Sequence, residues 1–234
     1  MAIRSTLDIH FFHLPMAALA LISLLSTACG VIIYDTTSRV LILEPVERMV
    51  FDSDGGTIEV YAFDRTAISL FYHLTGFETS IADIGHVVEG DALRAFFACD
   101  GDQLCAADYY CEVPLGTAIE IDADGAIKLT GVDAPVVASV KTGDVEGVGL
   151  RSPDLDLTVE TGAVTLAWSS PPVAVQIGVT TGDVTLTIPA GSYRCNLATA
   201  NGTVEMPGIT CDPAAAGVLE IDVQTGDIRV EGTP

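Results

Sequence analysis

Three short segments bring two carboxylates together around glycine: Asp52-Ser53-Asp54-Gly55, Asp100-Gly101-Asp102 and Asp122-Ala123-Asp124-Gly125. Carboxylates this close in a tight loop are what a hard cation such as calcium requires. None of the three runs on into a twelve-residue loop closed by glutamate, and none recurs as a nonapeptide. Asp-Gly is also good turn chemistry, and that reading is preferred. No metal site is therefore expected, and Asp52, Asp54, Asp122 and Asp124 stand only as calcium candidates. Beyond residue 28, His73 and His86 are the only histidines, and neither lies in a nucleophile motif. Gly-x-Ser-x-Gly, His-Glu-x-x-His and phosphate-loop patterns are all missing. The reading is a non-enzyme without catalytic residues or cofactor. Trp168, the single tryptophan, precedes Ser169-Ser170-Pro171-Pro172, a loop between strands. An exposed indole there would be a candidate platform for a sugar or peptide. The competing reading folds Trp168 over the sheet edge to shield the core. Tyr109 and Tyr110 are read as packing rather than as a recognition pair.

The amino terminus carries different chemistry. Arg4 supplies positive charge, and Met16–Leu25 is a ten-residue apolar run. That is signal-peptide length and too short for a hydrocarbon layer of ~30 Å. Ser26-Thr27-Ala28-Cys29 follows, resembling the lipobox of bacterial lipoproteins, although leucine falls at position 25, four places before the cysteine. The resemblance implies cleavage after Ala28 and acylation of Cys29, hence a membrane partner through the lipid. Gly30, not aspartate, follows Cys29, so outer-membrane delivery is expected in a cell with two membranes. Five cysteines remain, as suits an oxidising compartment. Cys195 with Cys211 is the expected disulfide. Strand parity couples Cys99 to Cys111, which leaves Cys105 over.

The elements that would position these residues are legible as a repeat. Val140-Lys-Thr-Gly-Asp-Val-Glu is echoed by Val159-Glu-Thr-Gly-Ala-Val-Thr, Val179-Thr-Thr-Gly-Asp-Val-Thr, Ala198-Thr-Ala-Asn-Gly-Thr-Val and Val223-Gln-Thr-Gly-Asp-Ile-Arg. The turn glycines are Gly143, Gly162, Gly182, Gly202 and Gly226, at spacings of 19, 20, 20 and 24, with an earlier copy at Gly125. Leu155-Asp-Leu-Thr-Val-Glu alternates as a half-buried strand does. Helical periodicity is absent, so the class is all-β. The near-constant period predicts a single-chain β-solenoid of ~20-residue coils, with an antiparallel β-sandwich as the alternative. Stacked in chain order, the residues after the turn glycine read Asp144, Ala163, Asp183, Thr203, Asp227, so carboxylates would fall on alternate coils and avoid mutual repulsion. The division expected is signal 1–28, tether 29–40, an irregular β cap 41–113 and the repeat 114–234, the last two forming one domain. Within the cap, residues 50–61 read as a hairpin around an Asp-Gly turn.

Cys111-Glu-Val-Pro-Leu-Gly-Thr-Ala-Ile-Glu-Ile-Asp-Ala-Asp-Gly-Ala-Ile, followed by serial Thr-Gly-Asp-Val units, resembles the bacterial putative-adhesin family. These are β-strand-repeat domains of unknown function, related to the heads of autotransporter adhesins. The likeness spans roughly Val46 to Gly232. It implies an extracytoplasmic β-repeat domain and, by analogy, adhesion to a protein or glycan; it brings no catalytic residues. The cysteines and Gly162-Ala163 depart from the pattern. With 32 acidic against 10 basic residues and a net charge of −22, nucleic acid is disfavoured as a partner. The expectation is a lipid-anchored envelope protein acting as a binding scaffold. A polysaccharide-active solenoid enzyme and an envelope-stress accessory are the alternatives.

Overall fold

Alternation of apolar and polar residues gives every unit strands with one buried face, and burial of that face against a second sheet is what makes them stable. The computed structural model describes residues 33–77, 82–99 and 105–234. Cys29, the targeting segment, Asp100 and Asp102 lie outside them. The described residues form one compact unit. The described chain opens with β1 (Ile33–Ile42), β2 (Arg48–Ser53), β3 (Thr57–Phe63), β4 (Ile68–Phe77), β5 (Ala82–Glu89), β6 (Ala92–Cys99) and β7 (Ala106–Pro114). Paired strands follow: β8 (Ala118–Ala123) with β9 (Ala126–Thr130), β10 (Val136–Thr142) with β11 (Val145–Leu150), β12 (Asp154–Thr161) with β13 (Val164–Trp168), and β14 (Ala174–Thr181) with β15 (Val184–Pro189). The chain closes with β16 (Gly191–Asn201), β17 (Val204–Glu205), β18 (Ile209–Cys211), β19 (Val218–Thr225) and β20 (Ile228–Thr233).

The described residues are all-β. Two ten-stranded mixed sheets, ordered β1-β4-β7-β3-β9-β11-β13-β15-β20-β17 and β18-β16-β19-β14-β12-β10-β8-β2-β6-β5, line one continuous core in a sandwich-like arrangement. Each repeat gives one strand to each sheet, and the Thr-Gly-Asp corner is where the chain passes from one sheet to the other. Equivalent strands pair in parallel and in register, as Leu157 does with Ala138 and Ile177. Inward ladders such as Val140, Val159, Val179 and Val223 therefore stack side chain on side chain. The antiparallel alternative fails for the repeat: antiparallel pairing among the described strands is confined to β1 with β4, β4 with β7, and β5 with β6.

Four expectations are corrected. Residues 33–40, expected in a tether, form most of β1, which pairs along its whole length with β4. The 41–113 region, expected to be irregular, is regular over much of its length. There β2 and β3 continue the parallel stack beside β8 and β9, and β6 and β7 add a further layer. Because β2 and β3 lie in different sheets, residues 50–61 turn a corner instead of forming a hairpin. Spatial order also departs from chain order: β19 and β20 sit between the β14/β15 layer and the β16/β17 layer. The fourth correction follows from this, because Asp227 lies directly beside Asp183 and the alternation of carboxylates breaks there.

Candidate functional site

The repeat glycines form a column at the corner. An added Cβ at Gly182 would lie 2.6 Å from the carbonyl carbon of Gly162 and closer still to its oxygen. The same relation links Gly162 to Gly143, Gly226 to Gly182, and Gly202 to Gly226. The φ of +147° at Gly182 is one that L side chains rarely adopt. Beside this column runs a ladder of carboxylates. Asp144 Oδ1 accepts from the Ala163 N–H (2.8 Å), and Asp183 Oδ1 accepts from the Asp227 N–H (2.8 Å). Asp227 Oδ1 in turn accepts from the Thr203 N–H (2.7 Å) and hydroxyl (2.9 Å). Each of these carboxylates bonds the backbone of the next layer, which offsets repulsion between neighbours. That is why Asp183 and Asp227 tolerate adjacency. The corner is structural machinery.

The fold lays the Asp52–Asp54 and Asp122–Asp124 segments side by side, with most of their carboxylates engaged by protein groups. Asp52 pairs with Arg94, Asp54 accepts from the Cys99 N–H (3.1 Å), and Asp124 accepts from Lys141 Nζ (3.2 Å). The Lys141 contact raises the pKa of that amine, chiefly through its hydrogen bond to Asp124. Asp122 stands opposite Asp52 on the neighbouring strand. Among the described residues no group of three or more His, Cys, Asp or Glu is placed to hold a metal ion. Asp52, Asp122, Glu120 and Asp156 instead line a shallow groove of about 440 Å³ on the outer face of the β8-containing sheet.

Trp168 is not a surface platform. It continues the inward parity of Val164 and Leu166, is only 4% exposed, and its Nε1–H donates to the Ser152 carbonyl (3.2 Å). It packs in the core from within the sheet, since β13 lies between β11 and β15 and not at an edge. Among the cysteines, Cys195 joins Cys211, with Cα atoms 5.5 Å apart. Cys99 joins Cys105 rather than Cys111, with Cα atoms 6.2 Å apart. Cys111 is buried on β7 between Val60 and Leu70 in the strand register. Parity put Cys99 and Cys111 on apolar faces, but β6 and β7 belong to opposite sheets. Burial pushes the Cys111 thiol well above its ordinary range.

The feature that residue-by-residue reading passed over is an aromatic cluster on the outer face of the β7-containing sheet. Tyr61 and Phe63 are nearly parallel at 5°, with centroids 6.3 Å apart, and Tyr61 lies 4.7 Å from Tyr110. The Arg65 guanidinium sits 5.2 Å over Phe63 and pairs with Glu112. Tyr109 and Tyr110 have opposite fates because adjacent strand residues face opposite ways. Tyr109 is buried and donates to the Phe96 carbonyl (2.9 Å), and burial raises its pKa. Tyr110 is 38% exposed and Phe63 41%. Next to Tyr110 lies a groove of about 320 Å³, where Phe71 stands opposite Tyr110 across β4 and β7. Its polar wall carries Asp108, whose Oδ1 accepts from the Thr57 N–H (2.8 Å) and whose Oδ2 is 4.0 Å from His73 Nδ1. Glu59 completes the wall, bonded by the Tyr61 hydroxyl (2.9 Å) and paired with Lys128 (3.3 Å). The signal was present in the outward parity of Glu59, Tyr61 and Phe63, but which strands flank them was not.

No protein-family model and no curated protein matches the chain. Among solved structures, a putative cell adhesion protein from Clostridium sporogenes ATCC 15579 aligns over 85% of this chain and 100% of its own, with TM-score 0.54 and 10% identity. The chain shares the fold of that structure. At that identity the likeness shows the fold alone. A putative adhesin from Bacteroides fragilis NCTC 9343 (TM-score 0.41, 10% identity, 86% of this chain and 97% of that one) is more distant. So is a putative lipid binding protein from Parabacteroides distasonis ATCC 8503 (TM-score 0.26, 12% identity, 84% and 96%).

Proposed function

We propose that this chain is an envelope lipoprotein whose stacked units are coils of a β-solenoid serving as an adhesin-like binding scaffold, without catalysis. The observation that carries the reading is the parallel register of the repeat strands, interrupted by a shift between Gly147 and Leu150, which fixes outward-facing side chains in rows along two extended faces. Such rows are held by backbone ladders on both sides, so a partner meets a surface whose ordering cost is already met. Anchoring is supported by the apolar run Met16–Leu25 and by the small residues before Cys29. At most about 14 Å of extended chain separates Cys29 from Ile33, so the β1 end of the domain would sit close to the membrane.

The test has two arms. Mass spectrometry of the mature amino terminus is expected to find acylated Cys29, and an unmodified cysteine refutes the anchor. Cells displaying the chain are expected to bind a cell or matrix surface better than cells lacking it. Equal retention by both refutes adhesion.

A further inference from the structure

The groove between Phe71 and Tyr110 is furnished for one kind of ligand. It crosses β4, β7 and β3, where the strand register sets Phe71 opposite Tyr110, Tyr110 opposite Glu59, and His73 opposite Asp108. Its volume of about 320 Å³ lies at the small end of ligand sites, which run from ~300 to 1,000 Å³. The apolar wall is aromatic: Phe71 lines one side, and Tyr110, steadied by its tilted ring contact with Tyr61, lines the other. The polar wall is made of acceptors held in place before any ligand arrives. Each oxygen of Asp108 and Glu59 already faces one protein group, through Thr57, His73, Tyr61 and Lys128. An ionised carboxylate offers about four lone-pair positions, so each can still take hydroxyl donors.

These features select by charge. An anion would meet Asp108 and Glu59 inside a chain whose net charge is −22. A cation would have to compete with Lys128, which already occupies Glu59. A polyol brings neither difficulty. Its hydroxyl pairs donate to the carboxylates, and its carbon-bound hydrogens pack on the rings. The acidic groove of the opposite sheet offers no such wall, because Phe51, the aromatic residue lining it, is 1% exposed.

We infer that this groove binds a neutral hexopyranose unit of a glycan, with Phe71 and Tyr110 packing on the sugar ring and Asp108 and Glu59 accepting its hydroxyls. The inference rests on the binding-scaffold reading and supplies its ligand class. The full chain, kept in a detergent without a sugar headgroup, is titrated calorimetrically with cellohexaose, laminarihexaose and mannohexaose. Binding to cells is measured in parallel. Binding to at least one oligomer is expected, weakened about tenfold or more by Tyr110→Ala and by Asp108→Asn, with unfolding midpoints near that of the parent. Phe71→Leu stands in should Tyr110→Ala misfold, and the same loss is expected of it. Glycan binding indifferent to these substitutions overturns the groove and leaves the scaffold reading intact. Cell adhesion without binding to any of the three oligomers overturns the sugar class alone. A chain that neither adheres nor binds overturns both.

Discussion

Two glycines four residues apart give the sharpest test of the stacked corner. Gly182 occupies the column, with φ +147° and the carbonyl of Gly162 where a methyl would go. Gly178 lies within β14, and a Cβ there would meet nothing within 4 Å. At Gly182 an alanine must take a backbone conformation costing about 1–3 kcal/mol. It must also push two layers apart, for about 1–3 kcal/mol of overpacking. Gly182→Ala is therefore expected to destabilise by roughly 2–6 kcal/mol, a large part of the ~5–15 kcal/mol available to a folded domain. Its thermal midpoint should fall by roughly 4–24 °C for a chain of this size. Gly178→Ala relieves the entropic penalty of glycine in a strand and should raise stability by about 0.5–1 kcal/mol. Urea unfolding followed by circular dichroism measures both. If Gly182→Ala lies within about 1 kcal/mol of the parent, or if Gly178→Ala is the more damaging, the close-stacked corner is wrong.

Other outcomes follow from the same coordinates. Asp227→Ala deprives Thr203 of its acceptor for both N–H and hydroxyl, and should cost about 1 kcal/mol, whereas Asp227→Asn, which keeps an acceptor oxygen, should cost less. Replacing both Cys195 and Cys211 by alanine opens a loop with a sequence separation of 16 and should cost about 3 kcal/mol in denaturant titrations. Cys111 should resist iodoacetamide in the folded protein and react once unfolded, because burial disfavours its thiolate; labelling at the native rate of an exposed thiol would contradict this. Burial likewise raises the Tyr109 pKa, so the folded state retains a proton that the unfolded chain releases near pH ~10. That stabilisation is whole below about pH 10 and is lost as pH climbs from there towards the raised folded value, so stability should decline with alkalinity and Tyr109→Phe should flatten the decline.

Much of the fold was legible. The strand alternation in Leu155–Glu160 and the serial Thr-Gly-Asp corners announced an all-β repeat, because a half-buried strand must alternate and a corner that admits no Cβ must carry glycine. The site was legible only in pieces. Tyr61, Phe63, Phe71 and Tyr110 come from three strands, β3, β4 and β7, that lie side by side in the sheet in an order the chain does not follow, and nothing local to any of them names its neighbours. The same gap explains the cysteines: parity gave the facing of Cys99 and Cys111 but not the sheet each belongs to. Trp168 beside two prolines looked like a loop residue, yet its place in the alternation of β13 turned it inward.

The sequence by itself determined what each residue does within its own strand or turn, since those are properties of backbone sterics and of a period of two. It also determined the acidic balance of the chain, 32 acidic against 10 basic residues. Only the tertiary structure decided which strand lies beside which. The final pair β19 and β20 slots in ahead of the unit that precedes it, and β6 and β7 lie outside β2 and β3. Repeats with near-identical corners and inward faces can stack in more than one order, so local pattern leaves that order open; the packing of the whole core selects it.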